Sequence, residues 1–420
     1  MTQSLGGHPV PLPSTLGVAE LARRSVHAAG AALSVDGSSS PDPDDIAAAY
    51  RSDRYLRIDG AAPDVWSPLS RFWPTTEGWI RTHGNYPHHA VALRVGLGLP
   101  ADADAEEIGS VIRTRSVVDA VGAIRAAGGM CAPALGEHPE RDAELRARPL
   151  VETSPLTTSA LRQPVRRLSA GSLAAPLAGV RVLDLTRVIA GPVATRTLAL
   201  AGAEVLRIDP PWLPEPDWQH LDTGHGKRSA LLDIAAEPQR FERVLTGADV
   251  VVLGYRPEAL AGLGLSAPLL AERHPHLIVG QLSAWPGADS PRGFDSLVQA
   301  ESGISWLESP DGQEPGALPA QALDHSAGYL LAAGIATALR RRTRSGGGWW
   351  VRTSLRRVAA ELLGMPRGIR PAEPTAPPAR TQDFVVAGRR ITTVAPAVRW
   401  PGSPEWFPAP RVWGGDDAAW

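Results

Sequence analysis

The chain has 420 residues, enough to bury a sizeable core and to form about two to three domains without help from disulfides or a metal. Its formal net charge is −2, with Lys, Arg, Asp and Glu interspersed rather than blocked, so the composition argues against nucleic acid and anionic membrane surfaces as partners. The single cysteine, Cys131, excludes an intramolecular disulfide framework and a cysteine-rich zinc site; its Gly-Gly-Met-Cys-Ala-Pro setting has no flanking cation, so it reads as a packed, inert thiol. No basic-then-apolar leader and no apolar run of about 20 residues is visible, which gives a cytoplasmic expectation.

Residues up to about Gly17 are rich in Gly and Pro and read as loose. An Ala-rich helix is predicted over Val18 to Leu33, followed by a polar connector from Ser38 to Asp45 that contains capping residues. A small α+β unit comes next. Tyr55 to Ile58 and Gly78 to Arg81 read as strands, and Ala90 to Leu97 and Val117 to Ala127 as helices, the last closed by Gly128-Gly129. The segment from Glu152 to Ala175 is rich in Ser, Thr, Pro and Arg and poor in large apolar residues, the composition of a linker.

The pattern then changes. Val180 to Leu185, Glu204 to Ile208, Ser229 to Asp233, Val250 to Leu253 and Leu277 to Leu282 are short apolar strands. Between them lie helical stretches such as Pro192 to Leu200 and Glu237 to Leu245, and a long Ala/Leu helix over Tyr329 to Arg341 closes the series. Strands apolar on both faces alternating with helices predict an α/β fold with a parallel sheet covered on both sides. The expected organisation is a small α+β domain with its N-terminal helix over 1–151, a linker over 152–175, a large domain over 176–365, and an extension over 366–420 that returns to the large domain.

The first strand of the large domain runs into Thr186-Arg187-Val188-Ile189-Ala190-Gly191-Pro192, a strand-turn-helix whose amides suit a phosphate, with proline at the expected helix start. Asp209 at the end of the next strand could serve a dinucleotide ribose. The turn, however, offers Gly191 alone where that fingerprint needs three spaced glycines, so a nicotinamide site is disfavoured.

The runs PLAGVRVLDLTRVIAGP (176–192), GAEVLRIDPP (202–211), GKRSALLD (226–233) and ADVVV (248–252), in this order, resemble the opening of class III CoA-transferases, the formyl-CoA transferase and 2-methylacyl-CoA racemase type. GFDSLVQAESG (293–303) is similar to the family segment that lines the CoA site, and LDHSAGY (323–329) falls where the transferases place a nucleophilic aspartate. The resemblance implies a Rossmann-like large domain plus a smaller α+β domain, coenzyme A as the acyl-CoA substrate, a carboxylic acid as second substrate, and an interlocked homodimer. It implies Asp324 as the nucleophile in the loop entering the long helix, and CoA contacts at Val188, Ile189, Ala190, Leu232, Ile234, Tyr255, Arg256 and Arg292. On spacing alone Asp324 is a helix cap, and the apolar members of the set are core residues. Pro210, Gly254 and Gly262 depart from the family pattern, which often carries basic residues at the first and last of these positions and asparagine at the second. The order of the parts is also permuted, since the segment resembling the small domain precedes the large one.

The reading favoured is a CoA-transferase working through an aspartyl intermediate. The alternatives are a racemase or isomerase of the same fold using bases near Asp295, against which Phe294 stands where a histidine would help, and a non-catalytic acyl-CoA-binding or partner subunit. His83, His88 and His89 have no acidic or thiol partner at ligand spacing and read as a solvated loop, so no metal is expected. The thirteen tryptophans read as core and interface anchors.

Overall fold

The computed structural model describes residues 8–156, 171–287, 290–369, 371 and 379–420. Its central element is a seven-stranded sheet built from β1 (Glu152–Pro155), β2 (Arg181–Leu185), β3 (Glu204–Asp209), β4 (Lys227–Leu231), β5 (Val250–Leu253), β6 (Ile278–Ser283) and β7 (Trp349–Ser354), in the spatial order β1-β7-β6-β5-β2-β3-β4. Six strands are parallel, and β1 alone runs antiparallel along β7, with Glu152 opposite Arg352 and Pro155 opposite Trp349. Taken without β1, this is the strand order of a doubly wound Rossmann-like sheet: the chain works outward from β2 to β4, returns, and works outward again from β5 to β7.

The strand sequences explain the two-sided burial. Side chains alternate across a strand, so Val182, Val205, Val250 and Val252 enter the core on one face, while Leu183, Leu185, Leu206, Val251 and Leu253 enter the core on the other. The first core also takes α1 (Val18–Leu33), α2 (Ala190–Leu200), α3 (Asp295–Glu301), α4 (Ala322–Ser345) and α5 (Leu355–Leu363), each contributing buried residues to it. Two three-stranded antiparallel sheets complete the architecture. One joins Arg57–Ile58, Arg389–Val394 and Thr381–Val386; the other joins Phe72–Pro74, Trp79–Thr82 and Cys131–Pro133.

Three local readings need correction. Glu152–Pro155, placed by composition in a linker, is a sheet strand, because an edge position asks little apolar character of its residues; residues 157–170 of that segment lie outside the described part. Tyr55 ends a short helix, Ser52–Tyr55, and the strand that follows is only Arg57–Ile58. Helix α2 starts at Ala190, which puts Pro192 inside the first turn rather than at the first position; that turn tolerates proline because its amides have no intrahelical partner.

The last residues lie along the outer edge of β4. His225 bridges to Pro410, the Ser229 amide donates to Asp416 Oδ2 at 2.9 Å, and the Gly414 amide donates to Ser229 Oγ at 2.9 Å.

Candidate active site

The chain reverses its direction of sheet growth between β2 and β5, and the ends of these two strands diverge into loops that leave a crevice, the usual ligand position in such sheets. A cleft of about 300 Å³ sits there. Its walls include Val188 and Ala190 from the β2–α2 turn, Tyr255 and Arg256 after β5, Arg292 and Phe294 before α3, and Asp324 on α4.

The β2–α2 turn is held in an unusual shape. Val188 has φ +72°, a conformation costly for a β-branched residue, so the surroundings must enforce it. Its amide donates to Glu215 Oε1 at 2.6 Å, and Glu215 is itself ion-paired to the fully buried Arg207, which also holds Asp209 through two bonds of 2.7 and 3.0 Å. From the other side, Asp184 accepts the Thr186 amide at 3.0 Å, the Thr186 and Thr195 hydroxyls at 2.5 Å each, and the buried Lys227 ammonium at 3.1 Å. Gly191 closes the turn, since a Cβ there would lie 2.3 Å from Thr186 Cβ. The Asp209 carboxylate, weighed as a ribose ligand, is occupied by Arg207 and by Trp413 Nε1 at 3.1 Å, and is fully buried.

Asp324 lies in the first turn of α4, two residues past Ala322, rather than in a loop before it. Its helix is drawn against the start of α2 at Gly328, where a Cβ would sit 2.5 Å from the Ala190 carbonyl oxygen, and Asp324, one turn earlier, shares the cleft wall with Val188 and Ala190. The capping reading fails: the N-cap is Gln321, and no side-chain hydrogen bond caps the helix. The Asp324 backbone amide donates to Asp295 Oδ2 at 2.9 Å. Asp295 is fixed in turn by the Gln299 amide on its Oδ1, and Gln299 Oε1 accepts the Leu318 amide at 2.9 Å. Two buried carboxyls are thus neighbours. Burial lifts Asp295 to about 6 even though Gln299 and the Asp324 and Leu323 amides favour its ionised form. Burial, and then the Asp295 charge, raise Asp324 well above the ordinary carboxylate range.

Of the sequence-derived set, the cleft brings together Asp324, Val188, Ala190, Tyr255, Arg256 and Arg292. Ile189 instead packs against the first core, while Leu232 and Ile234 pack in or against the second, and none of the three is part of the cleft wall. The histidine segment is not a solvated loop. His83 and His89 are buried, the His83 ring stacks on Phe294 with centroids 3.7 Å apart and planes within 2°, and only His88 of the three is exposed. Tyr86, His88 and His89 line the cleft, as does Arg187, whose guanidinium is tied to the Leu213 and Pro214 carbonyls at 2.6 and 3.0 Å. No local sequence signal marks residues 86–89, because their place depends on how the N-terminal half packs over the sheet. Asp295, by contrast, is visible in the GFDSLVQAESG run. Among the described residues there is no group of three His, Cys, Asp or Glu able to hold a metal, and no helix long and apolar enough to cross a membrane.

The model of CoA-transferase family III matches residues 177–387, the stretch that carries β2 to β7, Asp324 and the cleft wall apart from Tyr86, His88 and His89. The chain belongs to CoA-transferase family III. Among its relatives, a probable fatty acyl-CoA transferase of Mycobacterium tuberculosis is 34% identical over 209 residues, which cover 45% of this chain and 52% of that protein. A succinate–glutarate CoA-transferase of Agrobacterium fabrum is 32% identical over 213 residues, 45% of this chain and 53% of its own. A crystal structure of a hypothetical protein from Mycobacterium tuberculosis, 34% identical, aligns with a TM-score of 0.42 over 45% of this chain and 56% of the other. The chain thus spans about half the length of these curated relatives.

Proposed function

We propose that the chain moves coenzyme A from an acyl-CoA to a carboxylic acid, with Asp324 as the acyl-accepting nucleophile. The observation that carries this reading is a buried carboxyl in the wall of the switch-point cleft that caps no helix and accepts no hydrogen bond among the described residues. A carboxylate used for structure is saturated with donors, as Asp184 and Asp209 are here. One kept bare is poorly solvated when ionised, and therefore reactive.

In this scheme an Asp324 oxygen attacks the thioester carbonyl, the C–S bond breaks, and CoA leaves as the thiolate with a mixed anhydride on the enzyme. The thiolate then attacks the aspartyl carbonyl, releasing the donor acid and leaving an aspartyl-CoA thioester. The acceptor carboxylate attacks that thioester, freeing the thiolate again, and the thiolate takes the acceptor acyl group from the second anhydride to regenerate the Asp324 carboxylate. Acylation removes the Asp324 charge, so the repulsion from Asp295 that disfavours the free carboxylate favours the acylated enzyme.

The direct test is chemical. Enzyme incubated with a panel of acyl-CoA donors and hydroxylamine is expected to acquire a hydroxamate at Asp324, found by peptide mass spectrometry. A panel that leaves Asp324 unmodified removes the covalent scheme. The carboxyl pair also predicts a pH signature. Attack needs ionised Asp324, so the acidic limb of kcat/KM is expected well above the ordinary carboxylate range. Asp295→Asn takes away the neighbouring charge and is expected to move that limb to lower pH; a limb that stays in place would show that the pair does not govern ionisation.

A further inference from the structure

A cavity of about 370 Å³ opens at the carboxyl ends of β6 and β7. Leu145, Leu150, Pro257, Leu260, Leu265 and Trp350 give it apolar walls. Most polar side chains there are already bonded within the protein. Ser283 Oγ donates to the Trp285 carbonyl at 2.7 Å, Thr353 Oγ1 to the Leu150 carbonyl at 2.9 Å, and Trp350 Nε1 to Gln281 Oε1 at 3.0 Å. Arg357 directs Nε and Nη2 to the Arg148 carbonyl, at 3.1 and 3.0 Å, and Nη1 to Glu361 at 2.9 Å. Arg352 pairs with Glu152 at 2.6 Å above the Trp350 ring and, like Arg148, is exposed, so these two cations belong to the rim.

This cavity adjoins the cleft that holds Asp324. Pro257 and Ser283 line both, and where β7 runs into α5, Ser354 lines the cavity while Leu355 lines the cleft. Ser283 and Ser354 are register partners, the last residues of their strands, so the two spaces meet along one ridge where β6 and β7 end. The chemistry of the walls selects the ligand. A charged or sugar-like group would find few donors or acceptors free to replace its hydration. Water held between such walls also has few bonds to make, and an apolar group that displaces it gains free energy in proportion to the area it covers.

We infer that this cavity receives the hydrocarbon tail of a medium- or long-chain acyl-CoA, the tail crossing the Ser283–Ser354 ridge from a thioester carbonyl placed at Asp324. The choice of ligand rests on the CoA-transfer reading, but the cavity is tested without catalysis. S-ethyl-CoA and S-decyl-CoA are thioethers with no carbonyl to react, and calorimetric titration of the full chain compares them directly. S-decyl-CoA is expected to bind at least about tenfold tighter, since each methylene taken out of water is worth roughly fourfold. Two substitutions fill the cavity from different walls: Leu150→Trp, and Ser266→Trp at a helix start where the serine side chain makes no capping bond. Each is expected to erase the S-decyl advantage while S-ethyl-CoA binding, which also reports that the variant is folded, stays within about twofold. Equal affinity for the two thioethers in the wild type, or an S-decyl advantage that survives both fillings, would overturn the assignment. So would fillings that alter the sedimentation of the protein but not its chain-length preference, because the cavity would then be covered by a second copy. Acyl transfer with no preference for long tails sinks only this cavity, whereas the predicted thioether binding without transfer from any acyl-CoA sinks only the catalytic reading.

Discussion

Asp324→Asn is expected to yield a protein that still binds acyl-CoA, loses at least about 10³-fold in transfer rate, and is more stable than the wild type at neutral pH. The loss follows from removing the carboxyl in the cleft wall that is free of structural duty. The gain follows from linkage. In the unfolded chain Asp324 titrates near its ordinary value of 3.8; in the fold, burial and Asp295 raise it well above that. Between those two values the folded state holds a proton that the unfolded state has released, so stability falls as pH climbs through the window and levels off above the folded pKa. Asparagine has no such proton to lose. The variant should therefore gain about 1–3 kcal/mol at pH 8 and little near pH 4, which chemical melts at the two pH values can resolve. A variant less stable at pH 8 than the wild type would mean that the fold does not penalise this carboxylate.

The second large effect is expected at Arg207. Its guanidinium neutralises Asp209 and Glu215, and all three side chains are withdrawn from water. Arg207→Met should cost about 3–5 kcal/mol, because it strands two carboxylates rather than merely deleting an attraction. It should also free Glu215 from its anchor, and Glu215 is what holds the Val188 amide in the strained turn. Urea melts would measure the first effect. A triple variant, Arg207→Met with Asp209→Asn and Glu215→Gln, should recover most of the stability, since it removes the stranded charges while the side-chain amide oxygen brought in by Glu215→Gln can still accept the Val188 N–H. Equal destabilisation in the single and triple variants would assign the loss to packing instead of charge.

Much of the sheet was legible because buried parallel strands advertise themselves. Val250–Leu253 is four consecutive apolar residues and could hardly be anything else, and α1 was legible end to end from its Ala-rich pattern. The start of α4 was not. Asp324-His325-Ser326-Ala327-Gly328 is a poor helix-forming run, and it is helical because Gly328 must approach the Ala190 carbonyl, a tertiary demand with no local trace. The same holds for the site. The glycine-bearing turn and Asp324 stand in runs whose order carries the resemblance, while His83 and Tyr86 to His89 arrive from more than two hundred residues before Asp324. Leu232 and Ile234 fall outside the cleft for a related reason: residues just after a strand can turn into the core as readily as toward the crevice, and spacing does not distinguish the two.

The antiparallel strand on β7 and the C-terminal residues along β4 have a joint consequence for solubility. A half-open ladder of amides and carbonyls invites pairing with another molecule, and here both flanks of the great sheet are dressed by distant stretches of the same polypeptide. The protein is thereby guarded against strand-to-strand stacking only once those stretches have docked, which makes late folding, rather than the finished state, its moment of greatest vulnerability to clumping.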